Sequence, residues 1–325
     1  MPSNTITGIG SALVDVLINE TDEFLQKLNK EKGGMTYVTA DEQQFIISAS
    51  SRTPVIVPGG AACNTILGVG NLGGSARFIG ARGKDEYGDI FEKKVRESRV
   101  EPVLSSFDAP TGKVLSVVTP DAQRSMFTDL GASSLLDIAG LTGQLLSGTA
   151  IALVEGYLLF NRDLMMAAVK AAKDAGALVA LDLASFEVVN ASKDILPDLV
   201  REYVDILIAN EDEAKAYTGE SDESAAIEKL SVDVTYAVLK VGSRGSYVWH
   251  NSAVTRIEPV IGNDPVDTTG AGDLWAAGFL YGIANGCSIE KSGRLGSICG
   301  YEVCQVMGAQ IPGQVWERIR STIIE

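Results

Sequence analysis

Histidine is nearly absent from this chain of 325 residues, and basic side chains are fewer than acidic ones. His250 is the only histidine, so neither a Ser-His-Asp hydrolase site nor a histidine-rich metal site fits the composition, and we expect this residue to be structural or exposed. The 27 Lys and Arg residues against 42 Asp and Glu residues give a net charge of −15, which argues against a broad footprint on a phosphate backbone. We therefore expect no nucleic-acid partner.

Cysteine motifs and long apolar runs are also lacking. The four cysteines have no C-x-x-C spacing of the kind that binds zinc, and no apolar run reaches the length of a transmembrane helix. Residues 1–5 lack the basic and apolar regions of a secretory signal. These absences predict a cytoplasmic protein with reduced thiols and no membrane partner.

Two common nucleotide-binding fingerprints are missing as well. Gly112-Lys113 is followed by Val114, and Gly83-Lys84 by Asp85, so no Walker A loop is present. Residues 68–73 fit G-x-G-x-x-G letter for letter, but they follow a helix-like run instead of a strand. We reject a Rossmann dehydrogenase on this ground, and a bound nucleotide must be held by other segments.

Strand-like and helix-like segments alternate through much of the chain, and 46% of the residues are hydrophobic, which is ample for a packed core. Such alternation predicts a three-layer α/β/α fold whose central sheet is mostly parallel. No Pro-rich or Gly/Ser-rich linker interrupts it, so we predict a single domain over residues 1–325. The segments are strand 150–154, helix 162–175, strand 178–183, a polar stretch, strand 204–209 and helix 211–217.

The most informative run is Asp267-Thr268-Thr269-Gly270-Ala271-Gly272-Asp273, which apolar and small residues follow at once. Its glycines allow a tight turn in which successive amides point one way, and the residues after it predict the start of a helix. A helix N-terminus holds phosphate through unpaired N–H groups and a partial positive charge. A carboxylate in that place, Asp273, is a candidate base for an accepting hydroxyl. The alternative is that Asp267 and Asp273 only cap the helix.

This run closely resembles the C-terminal signature of the ribokinase-like family of sugar and nucleoside kinases, also called the PfkB family. Residues 58–65, followed by 72–74 and 78–88, are similar to the family's N-terminal motif. The resemblance extends from residue 8 to about residue 312 and implies a ribokinase-like fold. For the C-terminal run it implies that Asp273 is the catalytic base, that Gly270, Ala271 and Gly272 form the anion hole, and that Asp267 and Thr269 lie by a monovalent-cation loop.

For the substrate, the resemblance implies that Gly59, Gly60 and Asn64 bind hydroxyl groups and that Asp15 accepts hydrogen bonds from two of them. Taken alone, a Gly-Gly pair before a helix is usually only a turn, and Asp15 could be a solvated loop residue. Glu155 ends a strand-like segment. It is either a second sugar contact or a buried charge at the end of a strand.

For the nucleotide, residues 210–213 resemble the family's Asn-x-x-Glu motif, and such oxygen ligands suit Mg²⁺ bound mostly through water. We assign Asn210 and Glu213 to the metal and the phosphates, although a capped acidic helix start explains the same residues. Residues 237–248 predict a strand, a glycine loop and a strand, which is similar to the family's nucleotide loop. There Gly242 and Gly245 would let ATP lie on the backbone, and Lys240 is assigned to the nucleotide with them.

Two regions break the alternation of strands and helices. Residues 12–38 and 113–130 look like paired antiparallel strands, and the family would make them a small β-sheet lid over the substrate. Arg124 follows the turn of the second region and could reach the phosphates. A surface arginine is the alternative. An exposed lid edge could pair two subunits, so the chain is expected to be a monomer or a homodimer.

These features predict an ATP-dependent kinase that uses Mg²⁺, with K⁺ as a candidate second ion, and phosphorylates a primary hydroxyl of a small molecule. Residues 11–17, 32–35 and 154–158 look more like the adenosine-kinase branch than like the ribokinase or 6-phosphofructokinase branches. The predicted substrate is an adenosine-like ribonucleoside, with fructose, ribose or a related sugar as the alternative. A non-catalytic sugar or nucleotide sensor is the remote alternative.

Overall fold

The computed structural model describes residues 4–30, 32–121 and 123–323, with the backbone alone for Arg124 and Ile323. Within these residues the larger sheet has nine strands, and all neighbours pair in parallel except those of the hairpins at one edge. In spatial order they are β14 (Ala253–Ile257), β13 (Ser246–His250), β12 (Tyr236–Lys240), β11 (Ile206–Asn210), β10 (Leu178–Asp182), β9 (Thr149–Glu155), β1 (Thr5–Ile9), β5 (Ala76–Gly83) and β6 (Val100–Phe107).

Helices cover both faces of this sheet, because side chains along each buried strand point alternately to opposite faces. In β11, Ile206 and Ile208 join one apolar cluster, and Leu207 and Ala209 join the other. The first cluster includes side chains of α3 (Ala61–Asn71), α4 (Glu86–Glu97), α10 (Ala271–Ala284), α11 (Ile289–Val303) and α12 (Gly313–Ile323). The second includes side chains of α5 (Arg162–Asp174), α6 (Phe186–Ala191), α7 (Leu196–Tyr203), α8 (Glu211–Thr218) and α9 (Glu223–Leu230).

The predicted three-layer α/β/α fold is therefore confirmed. The polar stretch after residue 183 is more structured than the sequence indicated, because it carries α6 and α7, each with apolar residues on a buried side. Residues 68–71 of the rejected dinucleotide pattern lie inside α3, so the pattern has no strand before it. His250 stacks on Tyr236 with ring centroids 4.1 Å apart, which agrees with a structural role.

A second, smaller sheet, which we call the small sheet, has five strands within the described residues. It contains the segments predicted to form the lid and also β4, which the sequence did not assign to it. Its spatial order is β3 (Met35–Tyr37), β8 (Arg124–Gly131), β7 (Thr111–Val118), β2 (Leu13–Asn19) and β4 (Val55–Gly59), with α1 (Asp22–Lys27) and α2 (Ala40–Ala49) packed on it.

The pairing in the small sheet differs from the antiparallel pairing that the sequence predicted. The hairpin of β7 and β8 is antiparallel, as is the pair of β2 and β4, but β2 pairs with β7 and β3 pairs with β8 in parallel. The parallel pairs join segments that lie far apart in the chain, so no local turn signals them. Side chains in register across strands share one face, which places Tyr37, Asp15 and Val57 on the same face of the small sheet.

Helices α10 and α11 pack backbone against backbone. A methyl group placed on Gly278 would lie 2.7 Å from the amide nitrogen of Gly296, and one on Gly282 would lie 2.4 Å from the Ser292 hydroxyl. Most of α10 is buried, from Leu274 through Leu280. The helix that begins at the Asp273 run is therefore fixed along its length against the core.

The chain reverses direction across the larger sheet beside β1. It passes from β1 to β5 and β6 on one side and returns to β9 on the other side. Ligands of open α/β sheets bind at the carboxyl ends of the strands at such a switch point. The carboxyl ends of β9 to β12 carry Glu155, Asp182, Asn210 and Lys240, all on this edge.

Candidate active site

The predicted helix start is confirmed at Gly270, which precedes α10 with φ of 73°, a left-handed conformation that favours glycine. Asp273 lies in the first turn of α10. The Ala271 amide, a member of the predicted anion hole, donates to the carbonyl of Thr268 at 3.2 Å, which is long for such a bond. A methyl group on Gly272 would lie 3.0 Å from Nζ of Lys240, so the first turn also faces a buried cation.

Asp267 and Thr269 shape the loop that leads into this helix. Oδ1 of Asp267 accepts hydrogen bonds from the Thr269 amide at 3.0 Å and from its hydroxyl at 2.9 Å. Oδ2 of Asp267 accepts from the amide of Gly308 at 2.7 Å. Asp267 thus ties the loop to a distant turn. Its placement by a monovalent cation stays a prediction.

Asp273 is held by two residues of α3. Nδ2 of Asn64 donates to Oδ2 of Asp273 at 2.9 Å, and the Thr65 hydroxyl donates to the main-chain carbonyl of Asp273 at 3.1 Å. Burial raises the pKa of Asp273 to about 7, while the bond from Asn64 and the charge of Lys240 oppose the rise and Asp182 adds to it. A carboxyl group with such a pKa can release and accept a proton near neutral pH.

Lys240 forms an ion pair with Asp182, with Nζ 3.0 Å from Oδ2 and side chains 13% and 16% exposed. Burial would lower the pKa of Lys240, but the carboxylates of Asp182 and Glu213 raise it above its ordinary value. The ammonium group therefore keeps its charge beside the first turn of α10. The sequence analysis missed Asp182, and its place at the end of a predicted strand is the signal that could have found it.

Asn210 and Glu213 form a reciprocal cap on α8. Oδ1 of Asn210 accepts from the Glu213 amide at 2.9 Å, and the Glu213 carboxylate accepts from the amide and from Nδ2 of Asn210, both at 2.7 Å. The capping alternative is therefore confirmed. Burial, with repulsion from Asp182, raises the pKa of Glu213 to about 7. Any contact of this buried carboxylate with Mg²⁺ through water stays a prediction.

A cavity of about 530 Å³ lies on one side of the first turn of α10. Lys240, Gly242 and Gly245 line it together with Ala271 and Gly272, so the predicted nucleotide loop and the predicted anion hole share one space. The segment 259–265, Trp275 of α10 and the α11 region also line it, which the sequence analysis did not foresee. The residues of the segment and of the α11 region include Pro259, Ile261, Ser297, Tyr301 and Gln305.

Glu155 lies on the other side of that turn, buried with 3% exposure. Its Oε2 accepts from the amide of Ala62 at 3.2 Å and from the amide of Ser11 at 3.4 Å. Burial raises the pKa of Glu155 to about 7, although these bonds oppose the rise. A second, much smaller cavity of about 10 Å³ is bordered by Thr65, Glu155, Asp182 and Asp273 among others. Glu155 is thus a buried charge at the end of β9, and it borders the same space as Asp273.

The remaining predicted substrate residues meet where the small sheet joins the larger one. A methyl group on Gly59 would lie 2.5 Å from the carboxyl group of Asp15, and one on Gly60 would lie 2.4 Å from the Ser11 carbonyl oxygen. Asp15 is in the middle of β2. It is therefore a sheet residue, not a loop residue after β1. The side chain of Arg124, in β8, lies outside the described residues, so its predicted contact with phosphate stays untested.

An aromatic pair connects the small sheet to the helical turn that follows β9 of the larger sheet. Tyr37 of β3 and Phe160, which ends the short helical turn after β9, have ring centroids 6.3 Å apart in an edge-to-face arrangement. They are 49% and 48% exposed. Burial and the carboxylate of Glu155 raise the pKa of Tyr37.

Comparison with known proteins identifies the family of the chain. The profile of the pfkB family carbohydrate kinases matches residues 14–316. The chain belongs to this family. It is an ATP-dependent kinase that acts on a hydroxyl group, as the sequence predicted, and the alternative of a non-catalytic sensor is not supported.

Individual relatives include kinases of both nucleosides and sugars. Adenosine kinase from Saccharomyces cerevisiae (strain ATCC 204508 / S288c) is 26% identical over 338 residues, covering 94% of this chain and 96% of that protein. Probable fructokinase-7 from Arabidopsis thaliana is 30% identical over 252 residues, covering 72% of each. The crystal structure of adenosine kinase from Sinorhizobium meliloti has a TM-score of 0.90 at 31% identity, covering 99% of this chain and 100% of that one.

Two features are absent from the part of the chain that the structure describes. Among residues 4–30, 32–121 and 123–323, no helix is long and apolar enough to cross a membrane. In the same residues no group of three or more His, Cys, Asp or Glu side chains stands close enough to hold a metal ion directly. A divalent ion that accompanies the nucleotide would therefore need ligands beyond this set, such as water and the nucleotide's own phosphates.

Proposed function

We propose that this pfkB family member transfers the γ-phosphoryl group of ATP to a primary hydroxyl of an adenosine-like ribonucleoside. One observation carries the proposal. Ala271 and Gly272 in the first turn of α10 line the 530 Å³ cavity, and the next residue, Asp273, borders the space beside Glu155. A phosphate bound at these amides and a hydroxyl bound at this carboxylate would meet at the same turn.

The proposed reaction is an in-line displacement. Asp273 accepts the hydroxyl proton as the substrate oxygen forms its bond to the γ-phosphorus, and the bond from that phosphorus to the bridging oxygen of ADP breaks. The amides of Gly270, Ala271 and Gly272 donate to the oxygens of the phosphoryl group in transfer. The Ala271 amide would give up its long bond to the Thr268 carbonyl to do so. Lys240 supplies a fixed positive charge next to these amides.

The residues fit a magnesium ion bound mainly through water. Asp182 and Glu213 provide hard oxygen atoms near the nucleotide cavity, and Lys240 is the cation that faces them. Burial and repulsion from Asp182 raise the pKa of Glu213, and a cation bound nearby would oppose that rise. Mg²⁺ would supply charge neutralisation for the phosphates. K⁺ is proposed beside the loop of Asp267 and Thr269, on the resemblance of that loop to the family's monovalent-cation loop.

A nucleoside is favoured over a free sugar by the half-exposed aromatic pair of Tyr37 and Phe160. A purine ring offers a flat apolar face that such rings can cover, and this contact adds stacking energy to the hydrogen bonds of the sugar. The whole-length similarity to proteins named adenosine kinase supports the same choice. The acceptor hydroxyls would be held by Asp15, Asn64 and the backbone at Gly59 and Gly60.

A sugar kinase acting on fructose, ribose or a related sugar is the second candidate. The similarity to a probable fructokinase favours it. Glu155 also favours it, because a buried carboxylate next to the base can accept a hydrogen bond from a hydroxyl of a compact substrate. Both candidates use the same base and the same anion hole.

The test is the rate of ADP release from ATP, with Mg²⁺ and K⁺, across adenosine, inosine, guanosine, cytidine, ribose, fructose and fructose 6-phosphate. We expect the highest kcat/KM for adenosine or another ribonucleoside. 5′-Deoxyadenosine is the matched control, because it keeps the base and the other hydroxyls but lacks the acceptor. It should inhibit competitively and release no ADP above background. Turnover on a sugar alone would contradict the nucleoside assignment and leave the kinase mechanism intact.

The pH dependence of the best substrate follows from the raised pKa of Asp273, about 7. The base must be deprotonated to accept a proton, so kcat/KM is expected to fall as the pH drops through about 7 and to level off above about 8. Glu155 and Glu213 also have raised pKa values, so the midpoint belongs to the group of carboxylates. Rates measured from pH 5 to 9 check this, and a midpoint near the ordinary aspartate value would contradict it.

A further inference from the structure

Helix α3 links the small sheet to Asp273. It starts at Ala61, directly after Gly60, and β4 of the small sheet ends at Gly59. At its other surface α3 packs closely on α10, where a methyl group on Gly68 would lie 2.6 Å from Cβ of Ala277. Only Gly60, with φ of 98°, stands between β4 and α3.

Thr65 of α3 makes a bond that the proposed mechanism does not use. Its hydroxyl lies 3.1 Å from the main-chain carbonyl of Asp273 and 3.1 Å from the carbonyl of Ala61 in its own helix. The hydroxyl has a single hydrogen, which these two acceptors share. The side chain is 3% exposed, so water does not replace either acceptor readily. The bond to Asp273 thus joins the first turn of α10 to α3.

Asn64 and Thr65 hold different parts of Asp273. Asn64 donates to the carboxylate of Asp273 and fixes its rotamer, and Thr65 donates to the main-chain carbonyl of Asp273 and fixes the distance of this residue from α3. Asn64 is already assigned to the substrate. Thr65 borders the small cavity next to the base, and no substrate role is assigned to it.

We propose that Thr65 is a positioning residue for phosphoryl transfer: its hydroxyl ties the main chain of Asp273 to α3 and so fixes the place of the base relative to that helix. This inference rests on the proposed role of Asp273 as the base. A displacement of the base by a fraction of an ångström lowers the rate of the chemical step without removing any contact with either substrate.

The test replaces Thr65 with valine, which keeps the β-branched shape and removes the hydroxyl. We expect kcat for Thr65→Val to fall roughly tenfold to a hundredfold, the range known for small misplacements of reacting groups, with both KM values within about twofold of the wild type. Thr65→Ser, which restores the hydroxyl, should recover most of kcat. A role in packing alone would give the opposite order, because serine removes the methyl group and keeps the hydroxyl.

Thr7→Val is the matched control. Thr7 is fully buried in β1, and its hydroxyl bonds to the Thr149 hydroxyl at 2.8 Å, away from Asp273. Its loss should lower the melting temperature and leave kcat unchanged. If Thr65→Val keeps the wild-type kcat while Asp273→Asn is inactive, the inference is wrong and the proposed mechanism stands. If Asp273→Asn keeps its activity, the proposed mechanism itself fails.

Discussion

Asp273→Asn is expected to lower kcat by about three to four orders of magnitude, because the amide cannot accept the hydroxyl proton. The substitution keeps the size of the side chain and can keep a hydrogen bond with Asn64. The KM for ATP should change little, since the nucleotide cavity is lined by the preceding amides and not by this carboxylate. Steady-state rates with the preferred acceptor measure the loss.

The same variant should be more stable than the wild type at alkaline pH. The folded-state pKa of Asp273, about 7, lies above the ordinary value of 3.8, so the folded wild type holds a proton that the unfolded chain has lost between these values. Wild-type stability therefore falls as the pH rises from about 4 to about 7. Asparagine has no such dependence, so its gain should be on the order of 4 kcal/mol at pH 8 and smaller at pH 5.

Urea unfolding at pH 5 and pH 8 measures that gain. Asp163→Asn is the control, because Asp163 also lies in the first turn of a helix, α5, but is exposed. It should change neither the rate nor the pH dependence of stability. An Asp273→Asn protein that turns over within tenfold of the wild type would show that another group is the base.

Lys240→Met is expected to lower kcat by about a hundredfold to a thousandfold, the usual effect of removing one preorganised group that stabilises transition-state charge. Methionine keeps the length of the stem and removes the ammonium group beside Gly272. The loss should be smaller at pH 9 than at pH 7. Lys240 lowers the pKa of Asp273, so its removal moves the acidic limb of the rate profile to higher pH.

Asp182→Asn should move that limb in the opposite direction, because Asp182 raises the pKa of Asp273. Lys173→Met is the control for Lys240→Met and Asp182→Asn. It breaks a similar ion pair, with Asp205 at 2.6 Å, at the amino ends of the strands of the larger sheet, away from the site. It should lower the free energy of unfolding and leave kcat unchanged. Equal losses of activity in Lys240→Met and Lys173→Met would mean that the site pair acts only through stability.

The sequence predicted what local chemistry determines. The turn before α10 follows from Gly270, and the start of α8 from Asn210 and Glu213, because each depends on residues a few positions apart. The alternation of apolar segments was enough for the three layers. The similarity of the two signatures to a known family added the reaction class, which periodicity alone does not contain.

The remaining features depend on contacts between distant parts of the chain. Asn64 and Asp273 are 209 positions apart, and Asp182 and Lys240 are 58 apart, so no spacing rule joins them. The parallel pairing of β2 with β7 and the inclusion of β4 likewise depend on how the small sheet assembles. Thr65 carried no signal, because a threonine inside a helix is ordinary until its neighbour is known.

The close packing of α10 on α11 has a consequence for how the two substrates are bound. Because Gly278 and Gly282 leave no space between the helices, the proposed phosphate site at the start of α10 is held in place by the core, and we expect ATP binding to cost the protein little conformational entropy. The small sheet has its own core of seven buried residues, including Val16, Leu115 and Phe127, apart from the two apolar clusters on the larger sheet. We therefore expect the alcohol substrate, bound beside the small sheet, to order more of the protein than ATP does. Selection among alcohols would take place at that binding step.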